Sequence, residues 1–195
     1  MAQVKKDEIR DRILKAAEKL FSDHGYAATT MTTIAVSADM SKSNIYVYFP
    51  SKLDILWAIS DPWLRERFAH LEDELSNFPK PEDRVRHIFT TLWCDLPTDR
   101  NGFANNMMQA LSTDGNSEGY SRELLAFSQV RLSALLAQNL TMTPHEIQTL
   151  AHITMMAFDG FAIGQQLGSK RGDTIRMARA FADITLKHHR TAARD

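Results

Sequence analysis

Cysteine is all but absent: Cys94 stands alone among 195 residues. One thiol cannot close an intrachain disulfide, and without a second there is no CxxC redox or zinc motif. A reducing compartment is the expectation. A surplus of charge is missing too. Lys and Arg number 23 against 24 Asp and Glu, a formal net charge of −1, so bulk electrostatics do not draw this chain to nucleic acid and any such binding has to come from a local patch. No apolar run approaches the roughly 18 residues of a membrane span, and the start, MAQVKKDEIRDR, is charged where a secretory leader needs an apolar stretch. The expected location is the cytoplasm. Catalytic signatures are lacking as well: there is no Gly-rich phosphate loop, no HExxH, no GxSxG, and nothing that supplies Cys94 with a base. The chain is not expected to be an enzyme, nor to carry a cofactor or a metal.

What is present is helix. With 44% hydrophobic residues the chain can bury a sizeable core, and apolar residues recur at three- and four-residue steps almost throughout, with no strand-like alternation. The fold class is all-α. Ile9, Ile13, Ala16, Ala17, Leu20 and Phe21 predict a first helix over about 6–24, stopped by Gly25. Thr30 can cap a short second helix through about 38, and Ser41 a short third, because their hydroxyls accept from otherwise unpaired first-turn amides. A fourth helix is expected from Ser51 to just before Asp61-Pro62, where Asp caps and Pro opens the next. Further helices are expected at 61–77, 81–96, 100–112, 118–140, 144–167 and 173–189, divided by Pro79, Pro97, DGNSEG and SKRGD. The sharpest boundary is Thr143-Pro144-His145-Glu146, a capping box with Pro in the first helical position.

The two short helices, joined by Asp39-Met40-Ser41, have the layout of a helix-turn-helix, in which one helix holds a second whose first turn enters the major groove. Lys42, Ser43 and Asn44 fall on that first turn, polar and short enough to approach base edges, while Ile45 and Phe49 return to the core. Tyr46 and Tyr48 carry hydroxyls on ring-length arms. Lys52 opens the following helix, whose amides and dipole favour a phosphate. Taken singly, lysines and serines on short helices are usually solvated surface and a Tyr-x-Tyr-Phe cluster is usually core; the weight lies in the combination. Residues 1–52 hold eight Lys or Arg against six Asp or Glu, a margin that permits DNA binding without demanding it.

The stretch GYAATTMTTIAVSADMSKSNIYVYFPSKLDIL resembles the DNA-binding domain of the tetracycline-repressor (TetR) family. The resemblance covers about residues 6–57, with Gly25-Tyr26, Thr29-Thr30, Ile34-Ala35, Ser41-Lys42, Ile45-Tyr46, Tyr48-Phe49 and Ser51-Lys52 at the family's spacings. It implies that Thr30, Tyr46 and Lys52 grip phosphates, that Thr32, Lys42, Ser43, Asn44 and Val47 lie against or near the groove floor, and that Ser41 and Tyr48 belong to the same surface. Two positions depart from the family pattern. Asp39 stands where Gly is usual, and tolerates a left-handed backbone less well than Gly. Val47 stands where a polar or aromatic residue is common, and suits a thymine methyl better than a hydrogen bond.

By the same resemblance the chain divides into a helix-turn-helix domain, 1–52, and a helical effector-binding and dimerisation domain, 53–195. One copy of so small a reader binds too few base pairs to select an operator, so a homodimer is expected. The 144–167 helix is apolar on nearly all sides between Leu150 and Gly164, more than one neighbour needs. Its Ala157, Gly160, Phe161 and Gly164, with Leu132 and Leu135 of the preceding helix, are the candidate interface; packing within one chain is the alternative. His145, His152, Asp159 and Gln166 recur every seven residues on that helix, a line that suits a solvated stripe or interfacial hydrogen bonds better than chelation. Trp63, Phe89, Trp93, Phe103, Met107, Met108 and Phe127 could line a pocket for a small apolar or amphipathic effector, and equally suit an ordinary core. The function implied is a ligand-responsive regulator, a repressor on a palindromic operator released by its effector. The rivals are an activating or architectural DNA binder of the same fold, or a ligand carrier with a vestigial DNA-binding domain.

Overall fold

The computed structural model describes residues 2–98, 102–113 and 120–192, and within these the side chains other than those of 2–5, 120–122, 166 and 188–192. Every regular element among the described residues is helical. In chain order these are α1 (Ala2–Ala28), α2 (Met31–Ser37), α3 (Lys42–Tyr48), α4 (Lys52–Leu75), α5 (Pro81–Thr90), α6 (Phe103–Thr113), α7 (Tyr120–Ala137), α8 (Pro144–Gln166) and α9 (Arg171–Ala192). Beyond α5 the chain widens into a π-helical turn, Thr91–Asp95, and then tightens into a 3-10 turn, Leu96–Thr98. None of the described helices is long and apolar enough to cross a membrane. The DGNSEG loop of the sequence lies outside the described residues.

The ends of these helices follow local chemistry. Helix α1 breaks at Gly25, whose φ of 80° and ψ of 165° suit a residue without a Cβ. Helix α8 starts on the expected capping box: the Glu146 amide donates to Thr143 Oγ1 at 3.3 Å and the Thr143 amide to Glu146 Oε2 at 2.8 Å. The break expected at Asp61-Pro62 is absent, and Pro62 lies inside α4. Trp57, Ser60, Leu64, Phe68, Leu71 and Leu75 are buried at three- and four-residue steps on either side of it, so one continuous apolar face keeps the helix in register, and an exposed Pro gives up a single backbone bond.

The chain forms two compact units. One comprises Met1–Leu64 with Arg100–Ser121, the other Arg65–Asp99 with Arg122–Asp195. The division between the units, after Leu64, falls inside α4, and α6 belongs to the first unit. The reason is visible in that unit's core, where Ala110 of α6 is buried with Ile13, Ala17, Phe21, Tyr26, Ile34, Ile45 and Ile55. Gln109 adds a polar tie: its Oε1 accepts from the Ala27 amide at 2.8 Å, just past the Gly25 break. The second unit is built round an aromatic cluster. Trp93 stacks on Phe161 at 4.8 Å and meets Phe89 and Phe181 at 5.3 and 5.0 Å, and its indole N–H donates to the Thr154 carbonyl at 3.0 Å. Arg86 pairs with both Asp183 of α9 and Asp83, Arg131 with Glu72, and His87 bonds Glu74 at 2.8 Å.

Candidate nucleic-acid interface

Helices α2 and α3 are each seven residues long, too short to persist alone, so their termini and a few buried residues must hold them. Thr30 caps α2 through a reciprocal pair: its hydroxyl accepts from the Thr33 amide at 3.1 Å, and Thr33 Oγ1 accepts from the Thr30 amide at 2.9 Å. Met31, Ile34 and Ala35 bury the inner face. After the Ala38 C-cap, Asp39 takes φ 52°, the left-handed region that Gly enters routinely and Asp only occasionally, and the Met40 amide closes back onto Ala35 O at 3.0 Å. Ser41 then caps α3 by accepting from the Asn44 amide at 3.3 Å.

One residue inside α3 is fully buried: Ile45, at 0% exposure, seconded by Phe49 just past the helix end. Lys42, Ser43 and Asn44 are exposed on its first turn, and Tyr46 and Val47 expose 47% and 72% beyond it. Thr32 is exposed on α2. These six side chains form the polar surface, with the bare Val47 among them. The Lys42 ammonium stands 6.0 Å from the Tyr46 ring, at the outer limit of a cation–π contact.

The other four candidates are engaged in holding the fold. The hydroxyls of Thr30 and Ser41 serve as helix caps, and Tyr48 is half-buried against the core of its unit. Lys52 reaches back to the end of α1, where its ammonium donates to the carbonyls of Tyr26 and Thr29 at 2.8 and 2.9 Å and lies 3.9 Å from the centre of the Tyr26 ring. Sequence reasoning missed Arg10, whose guanidinium sits 5.2 Å over the Phe49 ring and so brings a cation to the end of α3. Its only signal was an outward-facing place on α1.

The candidate pocket residues divide between the units. Trp63, Phe103, Met107 and Met108 are partly buried in the first, where Trp63 and Phe103 meet at 4.8 Å. Phe89, Trp93 and Phe127 belong to the second, in which Phe89 and Trp93 are core and Phe127 meets Phe68 edge-on at 5.8 Å under the guanidinium of Arg65.

Among the candidate interface residues, Leu132 and Leu135 need correction. At 0% and 2% exposure they are buried within the protomer and offer no surface to a partner; apolar spacing along α7 did not separate its inner from its outer side. Ala157, Phe161 and Gly164 are half-buried, and Gly160 is exposed with nothing within 4 Å of where a Cβ would stand. The outer apolar side of α8 is carried instead by Ile153, Met156, Ile163 and Leu167, all exposed. With Gly160 these fall at alternating three- and four-residue steps. On the polar line, His152 Nδ1 and Gln129 Nε2 of α7 lie 2.9 Å apart, burial raises the Asp159 carboxyl above its ordinary pKa, and the side chains of Gln166 and His188-His189 lie outside the described ones. Burial, reinforced by Asp95, pushes the Cys94 thiol up to about 11, which keeps it protonated and a poor nucleophile at neutral pH.

Comparison with known proteins converges on this region. Residues 13–59 match the family described as bacterial regulatory proteins, tetR family. The HTH-type transcriptional regulator HbdR of Aromatoleum sp. (strain CIB) is 36% identical over 81 residues, covering 42% of this chain and 35% of that protein. The HTH-type transcriptional activator FasR of Mycolicibacterium smegmatis is 40% identical over 98 residues, covering 50% and 45%. The matched region thus spans less than half the length of either relative. Over the whole chain the fold is that of a solved TetR-family transcriptional regulator from Pectobacterium atrosepticum, with a TM-score of 0.73 at 16% identity, covering 95% of this chain and 96% of that one. These relatives are regulators by name, not enzymes. The N-terminal helix-turn-helix region is thus similar to that of the tetR family of bacterial regulatory proteins.

Proposed function

We propose that the chain is a dimeric, ligand-responsive transcriptional regulator that reads a palindromic operator with α3. The observation that carries this reading is the outer face of α3. Lys42, Ser43, Asn44, Tyr46 and Val47 are presented to solvent by a helix that the Ser41 cap, Ile45 and Phe49 hold rigidly from behind. The Lys42 ammonium can donate to a guanine edge, the Asn44 amide can donate to N7 and accept from the amino group of an adenine edge, and Val47 suits a thymine methyl. Thr32 of α2 and Tyr46 supply hydroxyls for phosphates.

The second half of the proposal is the dimer. A seam of Ile153, Met156, Gly160, Ile163 and Leu167 at three- and four-residue steps is the pattern of one helix packing lengthwise on another, and Met177 and Ile184 continue exposed apolar surface on α9. The effector is proposed to be small and apolar or amphipathic. It acts only if it binds the DNA-released state more tightly than the bound one. Release of the operator by effector, with repression as the outcome, is the reading we favour. The activator role in FasR's name favours the alternative sign of control on the same fold.

The test is titration of the full chain with duplexes from the DNA flanking its own gene, against mixed-sequence DNA. Selective binding at two protomers per site supports the regulator. Equal affinity for all duplexes supports an architectural role, and no binding to any duplex removes DNA from its function.

A further inference from the structure

We infer that Lys52 is a positioning residue of the DNA-reading helices and not itself a phosphate ligand, an inference that rests on the DNA-binding reading above. The first turn of a helix is the positive end of its dipole, a poor place for a cation. Lys52 opens α4 and yet is held there, because its side chain leaves that end and crosses to the opposite pole of another helix. At the end of α1 its ammonium meets the Tyr26 and Thr29 carbonyls at 2.8 and 2.9 Å and the face of the Tyr26 ring at 3.9 Å. An ammonium has three N–H bonds to give, and two carbonyls and an aromatic face engage it.

The place it grips is the joint from which the DNA-reading helices start. Thr29 is buried, its hydroxyl donates to Gly25 O at 2.8 Å, and its amide to Tyr26 O at 3.2 Å. The next residue, Thr30, is the cap of α2. Lys52 thus holds the carbonyl directly before the cap, and through α2 it sets where Thr32 and α3 stand. To take a phosphate it would have to abandon both carbonyls, whereas Lys42 is already exposed on the reading surface.

The test compares wild type with Lys52→Met, Lys52→Arg and Lys42→Met. Affinity for a mixed-sequence duplex is measured by fluorescence anisotropy over a range of potassium chloride concentrations, and amide hydrogen exchange is measured on the DNA-free full chain. A guanidinium serves a phosphate as well as an ammonium does, but its larger, planar head cannot take the place of a compact ammonium at 2.8 and 2.9 Å from the Tyr26 and Thr29 carbonyls without displacing them. Both Lys52 variants are therefore expected to bind DNA on the order of tenfold more weakly, with an unchanged salt slope and faster exchange at 29–34. Lys42→Met, which removes a cation from the surface facing the duplex, is expected to flatten the slope by about 0.9, the share of one released counterion. The inference is overturned if Lys52→Arg binds as wild type does while Lys52→Met flattens the slope with exchange unchanged. If wild type binds no duplex, the regulator reading fails; faster exchange in both Lys52 variants then still supports the clamp, and unchanged exchange refutes it.

Discussion

Replacing Gly25 by Ala tests how the end of α1 is made. At φ 80° and ψ 165° the backbone sits where residues with a Cβ rarely go, a strain of about 1–3 kcal/mol. The new Cβ would also stand 2.9 Å from Gln109 Oε1, the atom that accepts the Ala27 amide at 2.8 Å. Pushing Gln109 aside forfeits that bond, about 1 kcal/mol, while the stiffer unfolded chain returns about 0.4–1 kcal/mol. The net expectation is a loss of about 1–3.5 kcal/mol, a substantial share of the roughly 5–15 kcal/mol that holds a domain folded. Urea unfolding followed by circular dichroism measures it. Gln109→Ala alone should cost about 1 kcal/mol, and the double variant less than the sum, because the crowding disappears with the Gln109 side chain. A Gly25→Ala protein within about 0.5 kcal/mol of wild type, the scatter of ordinary surface changes, would refute the reasoning.

Two further outcomes follow from the second unit. Cys94 should resist a thiol-reactive disulfide at pH 8 in the native protein and react promptly in denaturant. Because its folded pKa of about 11 lies above the ordinary 9.0, its contribution to stability is intact below pH 9 and is lost as pH rises from 9 through 11; fast native labelling at pH 8 would contradict the burial argument. Met156→Glu combined with Ile163→Glu should leave the protomer folded, since both side chains are exposed in it. Each buried, unpaired carboxylate costs several kcal/mol, so the dimer should dissociate, its constant weakened by at least a thousandfold. Light scattering showing an unchanged dimer would move the interface elsewhere.

Much of the architecture was legible because it is written in local chemistry. The Thr143-Pro144-His145-Glu146 box, the Ser41 and Thr30 caps and the Gly25 stop each satisfy backbone groups within a few residues, and short-range satisfaction is what a sequence displays. Asp39 was readable for the same reason. Pro62 misled because its cost is local while the face that outweighs it, from Trp57 to Leu75, is a property of the whole helix. Leu132 and Leu135 misled because hydrophobic spacing reveals an apolar face without saying whether a neighbour in the same chain already covers it. Lys52 and Gln109 were beyond reach from sequence: the bonds they make span 26 and 82 residues, and nothing near either residue announces its partner. The exposed face of α3 was the most legible part of the candidate site, since a capped seven-residue helix with Ile45 turned inward leaves its other side chains few places to go.

The central claim is that the outer face of α3 reads base sequence, and selection from a random duplex pool tests it most directly. Wild type should enrich a palindromic motif; Lys42→Ala and Asn44→Ala should each change the preferred base at a position in the half-site, by roughly 1–3 kcal/mol of discrimination. Tyr46→Phe should weaken binding without altering the motif. No enriched motif with wild type, or one that survives both Lys42→Ala and Asn44→Ala unchanged, would contradict the account.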